Sequence, residues 1–154
     1  MTARDQSALN RRAFLGAGAA LLAIPAGAAA AEWTEQEKAN VKVVTDMCAA
    51  WVAPLDVAKI GGFLADDCVY RATETTPAVK GRQAIMEGLK KMLGSPDKVE
   101  FEIVQTFARG PMVVNERFDR FTMPGRSINW HGIGVFFVKD GKIAEWSDFT
   151  IAMK

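Results

Sequence analysis

The segment Met112-Val113-Val114-Asn115-Glu116-Arg117-Phe118-Asp119-Arg120-Phe121-Thr122 carries β-favouring residues at alternate positions. Strand alternation puts Asn115, Arg117, Asp119 and Phe121 on one face, so three polar groups share a side with an aromatic ring. A second stretch, Asp140-Gly141-Lys142-Ile143-Ala144-Glu145-Trp146-Ser147-Asp148, opens on an Asp-Gly turn. The same parity, carried from Lys142 to Ala152, aligns Ala144, Trp146, Asp148 and Thr150. If both faces line one cavity, two carboxylates flank one guanidinium.

Working outward, the period is two from Lys98 onward. Val99, Phe101, Ile103, Gln105 and Phe107 alternate with more polar neighbours, and turns fall at Gly110-Pro111, Pro124-Gly125 and Asp140-Gly141. Four strands therefore close the chain. Upstream, Thr34 with Glu37 forms a capping-box pattern, and Val41, Val44, Cys48, Trp51 and Val52 recur at helical spacing, which predicts a helix from about Glu35 to Ala53 halted by Pro54. Asp56 can cap a short second helix that Gly61-Gly62 weakens. Cys68 to Thr73 reads as a strand and Glu74 to Lys80, with Pro77, as a loop over a cavity mouth. Gly81 to Leu93 reads as a third helix, with Ile85, Met86, Leu89, Met92 and Leu93 as its buried stripe and Gly94 as its stop. The order ααβαββββ predicts an α+β fold, a curved antiparallel or mixed sheet covered by three helices.

The set Glu116-Arg117-x-Asp119, Gly134-Val135-Phe136, Asp140-Gly141-Lys142-Ile143 and Trp146-x-Asp148 resembles the limonene-1,2-epoxide hydrolase family, over roughly residues 38–151. Ala65-Asp66-Asp67-Cys68-Val69-Tyr70 and Gly81-Arg82-x-Ala84-Ile85 look like the wider superfamily of nuclear transport factor 2-like cone folds. The resemblance implies a cone whose concave face and helices enclose a blind apolar pocket. It further implies that Asp148 is the base and Asp119 the acid, that Arg117 bridges them, and that Tyr70 helps hold the attacking water. The sequence departs from the family at Ala72, where the family carries a water-holding asparagine. Thr73, Glu74 and Asn115 are the polar residues offered in its place.

A direct mechanism follows from these assignments. Asp148 takes a proton from water while protonated Asp119 gives one to the epoxide oxygen, with no covalent enzyme intermediate. Two negative charges beside one positive charge in a dry pocket favour keeping one proton between them. The competing reading of the carboxylates is a structural Asp-Arg-Asp network, and that of Tyr70 is a core ring with a bonded hydroxyl. Val52, Phe121, Trp130, Phe136 and Trp146 are the expected substrate wall, suited to a terpene-like or other lipophilic epoxide; aromatic residues at strand spacing are also ordinary core. Two further classes stay open: a cyclase or isomerase of the same superfamily, and a non-catalytic exported carrier of hydrophobic small molecules.

Residues 1–31 read as a signal peptide. Asn10-Arg11-Arg12-Ala13-Phe14-Leu15 matches the twin-arginine export pattern, an apolar run continues to Ile24, and Pro25 precedes the small residues Ala26 to Ala31. Residues 32–154 are then the working domain, exported to the periplasm or beyond, without stable membrane insertion once the signal is removed. Loss of Arg4, Arg11, Arg12 and Asp5 turns the net charge of +1 into about −1, which leaves no nucleic-acid footprint. No phosphate loop occurs, one histidine removes most metal clusters, and no cofactor or metal is expected. His131, opposite in phase to Trp130, is expected on the surface or at an interface. Cys48 and Cys68 fit either a disulfide or a buried reduced pair. Ile143, Phe149 and Ile151, opposite in phase to Asp148, are expected to cover a convex face shared with a second copy, so that sedimentation at micromolar concentration gives a homodimer.

Overall fold

The computed structural model describes residues 32–153; the signal-peptide assignment lies outside them. Helices α1 (Glu35–Ala49), α2 (Val57–Gly61) and α3 (Arg82–Leu93) accompany strands β1 (Leu64–Arg71), β2 (Val79–Lys80), β3 (Lys98–Arg109), β4 (Met112–Met123), β5 (Arg126–Lys139) and β6 (Lys142–Met153). The fold is α+β, one curved six-stranded sheet in the order β2-β1-β6-β5-β4-β3. It is mixed, because β1 runs parallel to β6 while every other pair is antiparallel. No helix among the described residues is long and apolar enough to cross a membrane.

The capping box forms as its residues require. Thr34 Oγ1 accepts from the Glu37 amide, and Glu37 accepts from the Thr34 amide. Glu37 also accepts from the Gly110 amide at 2.8 Å, while Asn40 Nδ2 donates to the Gly110 carbonyl at 3.0 Å, so one buried polar pair pins α1 to the β3–β4 turn. α1 stops at Ala49, short of the expected Ala53. A residue before proline is steered away from helical geometry, and Trp51 leaves the helix axis to stack on Phe101, 4.9 Å between centroids. Asp56 caps α2 through the Lys59 amide.

Strand β1 starts at Leu64 rather than Cys68, and the expected loop Glu74 to Lys80 ends in the two-residue β2. At the β5–β6 turn, Asp140 (φ 51°) and Gly141 (φ 71°) both adopt left-handed geometry, as a two-residue hairpin needs.

Three register breaks in the antiparallel pairs alter the simple alternation. In β3 the pairing with β4 skips Val104, so the residues beyond it change face, and Phe107, expected to continue the Phe101 row, is 59 % exposed. The β5–β6 register skips Ala144, which turns Ile143 inward. Ile143 is therefore fully buried in the core with Leu64 and Val138, and the expectation that it lies on the convex face is corrected. A third break skips Ile151. Phe149 and Ile151 stay exposed. Cys48 and Cys68 are both buried and unbonded, and burial raises their thiols to about 11 and about 12.

A buried carboxylate, guanidinium and carboxylate on one cavity

The inward row of β4 carries Asn115, Arg117, Asp119 and Phe121, all buried. β5 separates β4 from β6, and its register places Gly134 opposite both Asn115 and Asp148. Because that residue lacks a side chain, Arg117 crosses β5 to reach the β6 carboxylate. Arg117 Nε donates to both oxygens of Asp119 at 3.0 and 3.1 Å, Nη1 to Asn115 Oδ1 at 3.0 Å, and Nη2 to Asp148 Oδ1 at 2.9 Å. The guanidinium is 1 % exposed and sits among the rings of Trp130 (4.9 Å), Phe101 (5.5 Å) and Phe136 (5.9 Å). Every nitrogen of the fork is occupied, which fixes both carboxylates against one plane.

A Cβ on Gly134 would overlap Arg117 Nη1 and the Phe136 ring. Gly134→Ala is expected to push Arg117 off its partners and to destabilise the fold by roughly 1–3 kcal/mol, the usual cost of overpacking. Urea unfolding measures it, and a cost within experimental error would show that Arg117 has room the geometry does not give it.

Asp148 Oδ1 accepts from Trp146 Nε1 at 2.8 Å as well as from Arg117. Its Oδ2 takes no protein hydrogen bond among the described residues, and no unpartnered side-chain oxygen is sealed from solvent there, so Oδ2 opens onto the cavity. Tyr70 stands in the same position: its ring packs on Trp146 at 4.2 Å, and its hydroxyl has no partner among the described residues. The competing reading of Tyr70 expects a core ring with a bonded hydroxyl; the ring is in the core, and no group among the described residues bonds the hydroxyl.

Burial raises Asp119 to about 7, opposed by Arg117 and reinforced by the charge on Asp148. Burial also raises Asp148, against which Arg117 and the Trp146 N–H act to keep it charged. Asp148 accepts from two separate groups and Asp119 from one, an arrangement that favours the charged form of Asp148 over that of Asp119. Burial works against the Arg117 charge, but Asp148 and Asp119 outweigh it and hold the guanidinium protonated. Burial, with the Asp148 charge, raises Tyr70, so its hydroxyl keeps its proton.

The cavity is about 180 Å³ and brings together Tyr70, Arg117, Asp119, Phe121, Trp130, Trp146 and Asp148. Two expected wall residues are elsewhere. Val52, 50 % exposed, lies beyond the early end of α1 and borders an outer groove beside Glu100 and Arg120. Phe136 is fully buried behind Trp146, with ring centroids 5.9 Å apart, and supports Arg117 without reaching the cavity. Trp51, Phe101, Leu93 and Ile128 line the cavity, and so does Met92, 48 % exposed, where full burial was expected. The row from Val99 to Phe101 and the end of the α3 stripe carried that signal; the exit of Trp51 from the helix did not show in the sequence.

Of the three residues offered in place of asparagine at Ala72, only Thr73 lines the cavity. Asn115 is committed to Arg117 and, through Nδ2, to Cys48 Sγ at 3.6 Å, and Glu74 accepts from the Thr150 amide. His131 lies on the other face of the sheet from Trp130, stacked on Phe118 and 2.8 Å from Glu116. A larger cleft of about 670 Å³ lies over β1 and β6, lined by charges of both signs including Asp66, Arg82, Lys139 and Glu145, and it has no aromatic wall.

Cone-shaped sheet, covering helices and a polar triad at the pocket floor define a class, and the chain belongs to the SnoaL-like domain family, whose pattern matches residues 44–146. It is similar in structure to a Mycobacterium tuberculosis LEH-like epoxide hydrolase, with 25% identity and TM-score 0.65 over 74% of this chain and 84% of that one. A SnoaL-like polyketide cyclase from Jannaschia sp. CCS1, so described provisionally, shares the fold at 14% identity and TM-score 0.67, over 78% of this chain and 90% of its own. An NTF2-like protein of unknown function from Mesorhizobium loti does so at 21% identity and TM-score 0.60, over 79% and 98%.

Proposed function

We propose that this protein hydrolyses a lipophilic epoxide to a diol by direct attack of water. The observation that carries the reading is that Asp148 Oδ2 and the Tyr70 hydroxyl, neither bonded by another group among the described residues, open onto the cavity that Asp119 also lines. Water is held between Asp148 Oδ2, the Tyr70 hydroxyl and Thr73, which stands in for the asparagine absent at Ala72. Asp148 removes a proton from this water as its oxygen bonds to an epoxide carbon. The carbon–oxygen bond of the ring breaks, and Asp119 protonates the leaving oxygen. Arg117 holds the two carboxylates in register and lowers the cost of moving charge from one to the other. The epoxide carbons rest against Trp130, Trp146 and Phe121. The exported location and the homodimer belong to the same proposal.

A panel of lipophilic epoxides offered to residues 32–154 tests this by diol formation. Asp119 must be protonated to act, so kcat/KM is expected to fall about tenfold per pH unit above pH about 7. The acidic limb comes where Asp148 takes a second proton onto the pair. Absence of diol from the whole panel, or a rate that climbs through pH 9, would reject the assignment. Ala72 favours one second reading, a cyclase or isomerase in which Asp148 removes a carbon-bound proton, because a pocket that loses a water-holding amide is better suited to a reaction without water. Proton exchange into an enolisable ketone without diol formation from epoxides marks that outcome.

A further inference from the structure

A second space adjoins the cavity at Tyr70. A groove of about 180 Å³ runs between α3 and the segment leading into β2, walled by Ile85 and Leu89 on one side and Pro77 and Val79 on the other. Tyr70, Ala72 and Met92 line both spaces, so the groove adjoins the cavity at these three residues, of which Ala72 has the smallest side chain.

We infer that this groove is a second subsite, which takes an unfunctionalised hydrocarbon arm of the ligand whose polar end sits at Asp119 and Asp148. Volume supports it first. At about 180 Å³ the inner cavity alone falls below the roughly 300–1,000 Å³ usual for small-molecule sites, and the two spaces together enter that range.

The chemistry of the walls sets what enters. No charged residue lines the groove, and its one threonine, Thr76, is already bonded through Oγ1 to the Thr73 amide and carbonyl. The unpaired polar group that remains is the Tyr70 hydroxyl, on a residue 8 % exposed and standing where groove and cavity join. A ligand is therefore polar at that junction or inward of it, and apolar beyond it. The helix side is shaped for occupancy. Gly88, disfavoured inside a helix, lies on the groove, and a Cβ there would meet nothing within 4 Å. Ala84, one turn earlier, extends the same low floor.

The inference deepens the proposed reaction by naming a substrate class, epoxides carrying a hydrocarbon arm, and it is tested by binding so that it does not depend on turnover. Diols from hexane-1,2-diol to tetradecane-1,2-diol are titrated against the wild-type protein, read by tryptophan fluorescence, since Trp51, Trp130 and Trp146 line the inner cavity. Affinity is expected to rise roughly fourfold per added methylene into the long members. Gly88→Leu fills the groove from a helix position that gains propensity from the change, and Ala84→Leu fills it independently. Each is expected to bind hexane-1,2-diol as wild type does and to weaken dodecane-1,2-diol at least about tenfold. A wild-type plateau among the short diols, or long diols bound normally by both variants, overturns the subsite while leaving hydrolysis of short epoxides standing. Chain-length-dependent binding without turnover of any epoxide leaves the subsite standing and removes the hydrolase reading.

Discussion

Asp148→Asn is expected to lower turnover by roughly 10²–10⁴-fold, the range for loss of a general base, with the fold retained. Asparagine keeps an oxygen to accept from Trp146 Nε1 and Arg117 Nη2, the two donors that hold Oδ1 at 2.8 and 2.9 Å. What it loses is the second oxygen, the one open to the cavity, because an amide nitrogen has no lone pair to take a proton from water. Circular dichroism and kcat on the same preparation separate the two effects. Full activity in this variant would assign the proton transfer to another group.

Arg117→Ala is expected to be the most damaging single change to stability. The side chain is buried, donates to Asp119, Asp148 and Asn115, and lies among three aromatic rings. Its removal leaves two carboxylates facing one another in a dry pocket, and breaking a buried ion pair from one side costs roughly 3–5 kcal/mol. The loss is expected to be smaller at mildly acidic than at alkaline pH, since protonation relieves the unpaired charges. Denaturant unfolding across that range measures it. A loss below about 1 kcal/mol at alkaline pH would mean that the carboxylates are not held charged against Arg117. Lysine is not expected to rescue the variant, as one ammonium cannot reproduce contacts made from Nε, Nη1 and Nη2 in one plane.

Strand parity made the triad legible, because β4 is regular throughout its length and a period of two states which residues share a face. Asn115, Arg117, Asp119 and Phe121 are together for that reason alone. The same rule failed wherever one residue is extra. The breaks at Val104 and Ala144 send Phe107 outward and Ile143 inward, and a bulge leaves no composition signal when the extra residue is itself an ordinary strand former. Val52 falls outside the cavity because apolar spacing continues past Ala49 although the helix does not, and Trp51, beyond the helix end, stacks on Phe101. The role of Gly134 as the gap that Arg117 crosses depends on the β4–β5–β6 register, which no local pattern encodes. Which polar groups face the cavity is likewise a tertiary property. Asp148 and Tyr70 come to line it together only through the pairing of β1 with β6.

The central claim, that water attacks the epoxide directly with Asp148 as base, is tested most directly by a single turnover in ¹⁸O-labelled water with enzyme in excess over an epoxide the panel has shown to react. The mechanism predicts label in the diol and none in the carboxylate of Asp148, read by mass spectrometry of the peptide that contains it. Label in that carboxylate would mean that Asp148 is a nucleophile forming an ester with the substrate, and would contradict the account.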